Sequence, residues 1–279
     1  MIPKLNGTRI QPYPTFFSFK KRSELFWLEE ESQNNLFWEE SYFRAGMSSS
    51  KWRGNVFSGG NIELSAAITQ SSYLLLSFCE IEKIDLLIRY FKRADIKFSG
   101  VLGPAPAVAR FCRGANLEST PSPKIKKFRI LEKSSSQGFE MDDWKLQRVG
   151  DREWPRARIW AIQFVEDTMI FSNPTPTISL AKKMMKKGDL FFLRNERGEA
   201  CAMAGFGRKT PNKLVINMVF VSRDQRGHGL GKHLVQHMLD EARSRKYSSC
   251  ILFSDYENPD NLYEQIGFSH ISDFVERTI

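Results

Sequence analysis

The 279-residue chain lacks any apolar run approaching the roughly 20 residues of a membrane helix. Residues 1–17 interleave proline, asparagine, arginine and lysine where a secretory signal would be continuously apolar. A cytoplasmic protein with no membrane partner is therefore expected. Cysteine is scarce: Cys79, Cys112, Cys201 and Cys250 lie far apart with no Cys-x-x-Cys pair, so reduced core thiols are expected. His233 and His237 stand four apart, but no glutamate follows the first and no third ligand accompanies them. They read as helix-surface imidazoles, and no metal is expected. The formal charge of +9 divides as +7 in residues 1–138 and +2 in the rest. Its densest stretch, Lys124–Arg129, alternates like a solvent-facing strand. No zinc-finger, helix-turn-helix or RNA-binding aromatic motif accompanies it, so nucleic acid is not the expected partner.

What is present is the composition of an ordinary globular protein: 41% hydrophobic, 13% aromatic and 26% charged. The length favours two domains. Leu117–Gly138 has connector composition, with Pro121, Pro123 and the run Ser134–Gly138, and sets the division at 1–138 and 139–279. Upstream, a strand is expected within Ser72–Ile81, a helix over Lys83–Arg93, and a turn opening another helix over Val101–Arg113, an α/β pattern. Phe26, Trp27, Phe37, Trp38 and Trp52 are expected in the core. Downstream the expected order is strand Trp144–Val149, helices Arg156–Met169 and Thr177–Lys187, and strands Leu190–Arg194 and Ala200–Phe206 about the turn Asn195–Gly198. Strand Leu214–Val221, helix Gly229–Arg245, strand Cys250–Ser254, helix Pro259–Gln265 and strand Phe268–Val275 follow.

The most informative stretch is Val219–Lys232, an apolar strand running through a basic turn into an amphipathic helix. Gly227, Gly229 and Gly231 let backbone N–H groups approach a ligand, and the helix adds its positive end, which suits phosphate. The P-loop spacing fails, because His233 follows Gly231-Lys232 and Arg226 stands five before Gly231. The dinucleotide fingerprint fails too: the spacing is G-x-G-x-G, late in its domain and after hairpin-joined strands.

Arg226-Gly-His-Gly-Leu-Gly231 resembles the R/Q-x-x-G-x-G/A pattern of the GNAT superfamily of acyl-CoA-dependent N-acetyltransferases. Asn258–Phe268, an Asn-led turn, a short helix with a tyrosine and then Gly-Phe, is similar to a later segment of the same family. The resemblance covers about residues 142–279. It implies a mixed, mostly antiparallel sheet flanked by helices, with acetyl-CoA as co-substrate. The diphosphate would lie on Arg226, Gly227, His228, Gly229, Leu230, Gly231 and Lys232, and the pantetheine arm along Val219, Phe220 and Val221. Asn258 and Asn261 would contact the arm or form turns and caps. Tyr263 would act as general acid while the amine of an unidentified acceptor attacks the thioester directly. No base is legible, because Asn217 stands where some relatives carry glutamate; Asp255, Glu257, a water chain or the N-terminal half remain open. Arg223 replaces a proline common in relatives, and Ser222 and Asp224 read as turn formers. Residues 1–138 resemble the N-terminal half of tandem GNAT proteins, a decayed copy that would wall the acceptor pocket. A non-catalytic coenzyme A sensor or scaffold is the alternative function.

Overall fold

The computed structural model describes residues 7–43, 51–118, 123–135, 143–168, 173–255 and 261–279, the side chains of Ser41 and Asp255 excepted. The first half carries β1 (Arg9–Pro12), α1 (Phe16–Glu29), β2 (Arg53–Ser58), β3 (Asn61–Ile68), β4 (Tyr73–Leu76), α2 (Ile84–Ala94), β5 (Gly100–Pro104), α3 (Ala105–Gly114) and β6 (Ile125–Ser134). The second carries β7 (Lys145–Arg148), α4 (Trp154–Thr168), α5 (Thr175–Lys186), β8 (Leu190–Arg194), β9 (Ala200–Lys209) and β10 (Lys213–Val221), then α6 (Leu230–Ser244), β11 (Ser249–Asp255), α7 (Leu262–Gln265) and β12 (Ser269–Thr278).

Two compact units result. One comprises the described residues of Met1–Ile130, Ser254–Glu257 and Ile271–Ile279, the other those of Leu131–Phe253 and Asn258–His270. The division falls inside β6, a ten-residue strand within the stretch read as a connector. A single cut after residue 138 would also have left β12 with the second unit. Val101 and Leu102, read as part of a turn, are buried strand residues of β5.

In the first unit β1, β2, β3 and β4 pair antiparallel in sequence order; β4 pairs parallel with β5, and β12 closes antiparallel on β5. The parallel pair needs a crossover, which α2 supplies with Ile84, Leu87, Ile88 and Phe91 on its buried face. α1 begins at Thr15, whose Oγ1 accepts the Ser18 N–H at 3.1 Å. Trp27 is fully buried, stacked on Phe37 at 4.8 Å and edge-on to Trp38 at 5.6 Å, so these aromatics fill the core as expected. Phe26 instead lines a cavity of about 380 Å3 with Phe78, Glu29, Glu30, Glu63 and Glu80.

The second unit repeats the plan: β7, β8, β9 and β10 are antiparallel neighbours, β10 pairs parallel with β11, and α6 crosses between them. The turn joining β8 to β9 closes with Gly198 at φ +76° and its N–H on the Asn195 carbonyl at 2.9 Å. Leu234, Val235, Met238 and Leu239 of α6 pack with Phe191, Phe206, Leu214 and Ile216, while Trp160, Met184 and Phe192 form a second cluster with Met218 and Phe220. The repetition makes the halves two copies of one architecture. Where the second has a glycine turn between strand and crossover helix, the first has Ser77–Lys83, with Glu80 and Glu82 and no glycine. Those carboxylates favour the N-terminus of α2 and would repel a phosphate there.

Asp189 is the most demanding polar group of this core, 2% exposed, with Arg245 Nη1 on Oδ1 at 2.5 Å and Lys209 Nζ on Oδ2 at 3.1 Å. Asp189→Ala removes one of two carboxylates from the half-buried Arg245, which keeps Glu241 Oε1 at 2.7 Å, and should cost about 2 kcal/mol, read as a lower urea midpoint at unchanged slope. A loss within about 0.5 kcal/mol would mean water solvates the cluster. Cys112, Cys201 and Cys250 are buried free thiols and Cys79 is partly buried. Burial pushes the Cys250 and Cys79 thiols up to about 12, so both stay protonated and inert. Among the described residues, no helix is long and apolar enough to cross a membrane, and no group of three or more His, Cys, Asp or Glu could hold a metal ion.

Candidate active site

The site begins with a fault in β10. The strand keeps register with β9 at Asn217↔Gly205 and resumes at Phe220↔Met203, so Met218 and Val219 together oppose Ala204. Met218 takes φ +53°, a left-handed conformation that a non-glycine residue adopts only at a cost of order 1 kcal/mol. The bulge shifts the side-chain alternation by one: Leu214 and Ile216 face the α6 cluster, Met218 and Phe220 face the α4–α5 cluster, and Val219 and Val221 return to the α6 side. On its other flank β10 pairs with β11 at Lys213↔Ser249, Leu214↔Cys250 and Val215↔Ile251 and, among the described residues, no further. From Ile216 to Val221 the strand thus has one edge free of the β11 ladder, the space an extended ligand arm would need.

The chain then turns through Arg223–Gln225, a single 3-10 turn closed by the Gln225 N–H on the Ser222 carbonyl at 2.9 Å. Hydrogen bonds from Gln225 and Ser222 hold the Asp224 carboxyl below the usual carboxylate range, which fits the turn-forming role read for Ser222 and Asp224. The three glycines of the following turn do different things. Gly227 and Gly229 have φ of +84° and +76°, and no atom of the described residues lies within 4 Å of where their Cβ would stand. Gly231 has an ordinary backbone, but a Cβ there would meet Leu262 Cδ2 at 2.8 Å, so this glycine lets α6 approach α7.

Gly229 caps α6 without a side chain, and no described residue accepts from the N–H groups of Gly227, His228, Gly229, Leu230 or Gly231. Free donors at a helix N-terminus are a donor set of the kind that binds anions. The cradle is shorter than the sequence implied, because the Lys232 N–H donates to the Gly229 carbonyl at 2.9 Å. Lys232 itself is exposed and without an ion pair among the described residues, a cation within one turn of those donors. His228 is exposed with Nδ1 3.4 Å from the Gln225 carbonyl, and Leu230 is buried.

Arg226 is differently disposed from the expectation that it would offset phosphate charge. Its Nη2 donates to Asp167 Oδ2, its Nε to the Val221 carbonyl at 3.1 Å, and its guanidinium lies 5.4 Å from the Phe220 ring centroid. Arg223 donates to Asp167 Oδ1 at 2.8 Å and to Glu166 Oε2 at 2.9 Å. Sequence reasoning missed Asp167: it lies 59 residues before Arg226, and nothing local marks it.

Asn258 and Glu257 fall outside the described residues, as does the Asp255 side chain. Asn261 caps α7, its Oδ1 accepting the Tyr263 N–H at 2.9 Å and the Glu264 N–H at 3.4 Å. Tyr263 packs on the α6 cluster with its ring 6.2 Å from that of Phe268. Tyr263 is half-buried, and the lost solvation pushes its phenol up to about 12. A cavity of about 680 Å3 opens on the α4 side, lined by Arg156, Trp160, Glu199, Cys201, Ser222 and Asp224; neither the glycine turn nor α7 contributes to it.

Residues 153–268 match the acetyltransferase (GNAT) family. Among solved structures, an acetyltransferase from the GNAT family of Colwellia psychrerythraea is 12% identical with a TM-score of 0.59, over 97% of this chain and 99% of its own. A GCN5-related N-acetyltransferase from Sphaerobacter thermophilus gives 14% and 0.60 over 100% and 96%, and a tandem GNAT protein from the clavulanic acid biosynthesis pathway 12% and 0.54 over 98% of both. At these identities the likeness is one of fold, and it extends over both halves. No curated protein matches.

Proposed function

We propose, from the membership of residues 153–268 in the acetyltransferase (GNAT) family, that this chain transfers an acetyl group from acetyl-CoA to a primary amine. The observation that carries the reading is the run of N–H groups from Gly227 to Gly231 with no acceptor among the described residues, on a turn where a Cβ at Gly227 or Gly229 would meet none of their atoms within 4 Å. These donors and the α6 N-terminus would hold the diphosphate of coenzyme A, with Lys232 adding charge; charge-assisted bonds of this kind are about twice as strong as neutral ones. Bound acetyl-CoA supplies an acyl carbon already activated as a thioester. The free edge of β10 at Val219, Phe220 and Val221 would orient the arm, which puts most of the chain's contribution into positioning.

The amine nitrogen bonds to the thioester carbon and the carbon–sulfur bond breaks. Tyr263 Oη gives its proton to the departing sulfur, and the proton released by the amine returns to Tyr263 through solvent, leaving an amide and a free thiol. A phenol held near 12 is protonated throughout the neutral range. It is a weaker acid than an alkyl thiol at about 8.5, so the transfer to sulfur is uphill by itself and is completed by the proton that the amine returns to the phenolate. Asn217 cannot accept a proton, and that observation supports a second reading: a module that holds coenzyme A without turnover. Thiol release from acetyl-CoA over a panel of amines decides between them. Amine-dependent release supports the enzyme; tight coenzyme A binding with no release at any pH or acyl length supports the sensor.

A further inference from the structure

We infer that Asp167, at the end of α4, is a positioning residue whose carboxylate holds Arg223 and Arg226 so that the N–H groups of Gly227–Gly231, and not the Arg226 guanidinium, meet the ligand's phosphates. The inference rests on the diphosphate reading above. Each carboxylate oxygen takes a different arginine, Oδ1 from Arg223 at 2.8 Å and Oδ2 from Arg226, and Glu166 takes the same Arg223 nitrogen at 2.9 Å. Arg226 is thereby fixed at three points: on α4 through Asp167, on the end of β10 through the Val221 carbonyl, and on the buried Phe220 ring. A guanidinium is a planar fork, so three such contacts set its orientation and that of the backbone behind it.

The residues that follow need this. Gly227 and Gly229 both have positive φ and no side chain, so they impose least on the chain by themselves. A turn that is in binding geometry only part of the time loses affinity by that fraction. The two guanidiniums hold the Asp167 carboxyl below the usual carboxylate range, so it stays charged at neutral pH. Because the carboxylate is partly exposed, its effect is on the order of the turn and not on global stability.

Position and charge predict opposite outcomes for Asp167→Asn. If Asp167 were only a negative charge near the phosphates, its removal would free two cations and tighten binding. If it positions, coenzyme A should bind about 10-fold more weakly, with kcat at saturating acetyl-CoA unchanged and Tm within about 3 °C of wild type. In the ligand-free protein, amide order parameters at 227–231 should fall from the rigid range, about 0.85, toward 0.6, and Asp167→Glu should recover part of both losses. Equal or tighter coenzyme A binding, or unchanged order parameters, would overturn the inference. A wild-type protein that takes up no coenzyme A would strike the diphosphate reading alone, and the ligand-free order parameters would still judge the role of Asp167.

Discussion

Gly229→Val should reduce coenzyme A affinity by at least about 100-fold, or ~3 kcal/mol, while the protein remains folded. Gly229 holds φ +76° as the cap residue of α6, a conformation that costs an L-residue roughly 1–2 kcal/mol and a β-branched one more. No neighbouring atom would be struck, since a Cβ here meets nothing within 4 Å. The valine would instead occupy the space proposed for the diphosphate and turn the first N–H groups of α6 away from it. Helical content should be retained, because Leu234, Val235, Met238 and Leu239 keep α6 on its sheet. Gly231→Val is the instructive contrast: its added carbons would strike Leu262 Cδ2. That variant should lose stability first and binding second. Calorimetry with coenzyme A, paired with thermal melts, separates the two. Unchanged affinity in Gly229→Val would refute the cradle.

Tyr263→Phe should lower kcat by about 100-fold and leave KM for acetyl-CoA within about 3-fold, because it deletes a proton donor and keeps the ring packed on Phe268. The pH dependence carries a second signature. With the phenol pushed up to about 12 by burial, kcat should show no falling limb from this group between about pH 8 and 11, where an ordinary tyrosine near 10 would produce one. The same shift bears on stability. A folded-state value above the unfolded one means the buried neutral phenol stabilises fully below about pH 10, and that contribution is lost as pH rises toward 12. If turnover is unchanged in the phenylalanine variant, Tyr263 is a packing residue and the thiolate takes its proton elsewhere.

Much of the second unit was legible because its signals are local. The apolar stripe Leu230, Leu234, Met238 and Ala242 specifies the buried face of α6, and the turn Asn195–Gly198 specifies the β8–β9 hairpin. The glycine turn was legible as a tight turn from strand to helix, though not the separate task of Gly231, which depends on Leu262 from another element. Longer-range features left no trace in the sequence. β12 pairs with β5 at Val275↔Gly103, a contact across more than half the chain, so a cut by composition could not assign it. β6 was legible only in its first half, where Lys124–Arg129 alternates like a strand; its flanking proline and serine read as connector. The bulge in β10 rests on a methionine at positive φ, where residue type gives no warning. Asp167 and Arg223 meet only through the fold, and Arg223, which stands where relatives commonly carry proline, is half of that contact.

The most direct test of the central claim is an amide NMR titration of the isotope-labelled protein with coenzyme A and, in parallel, with pantetheine, which lacks the diphosphate. The account predicts that coenzyme A moves the N–H resonances of Gly227, His228, Gly229, Leu230 and Gly231 more than any others, and that pantetheine leaves them in place. Binding of coenzyme A that perturbs residues elsewhere while these five amides stay still would contradict it.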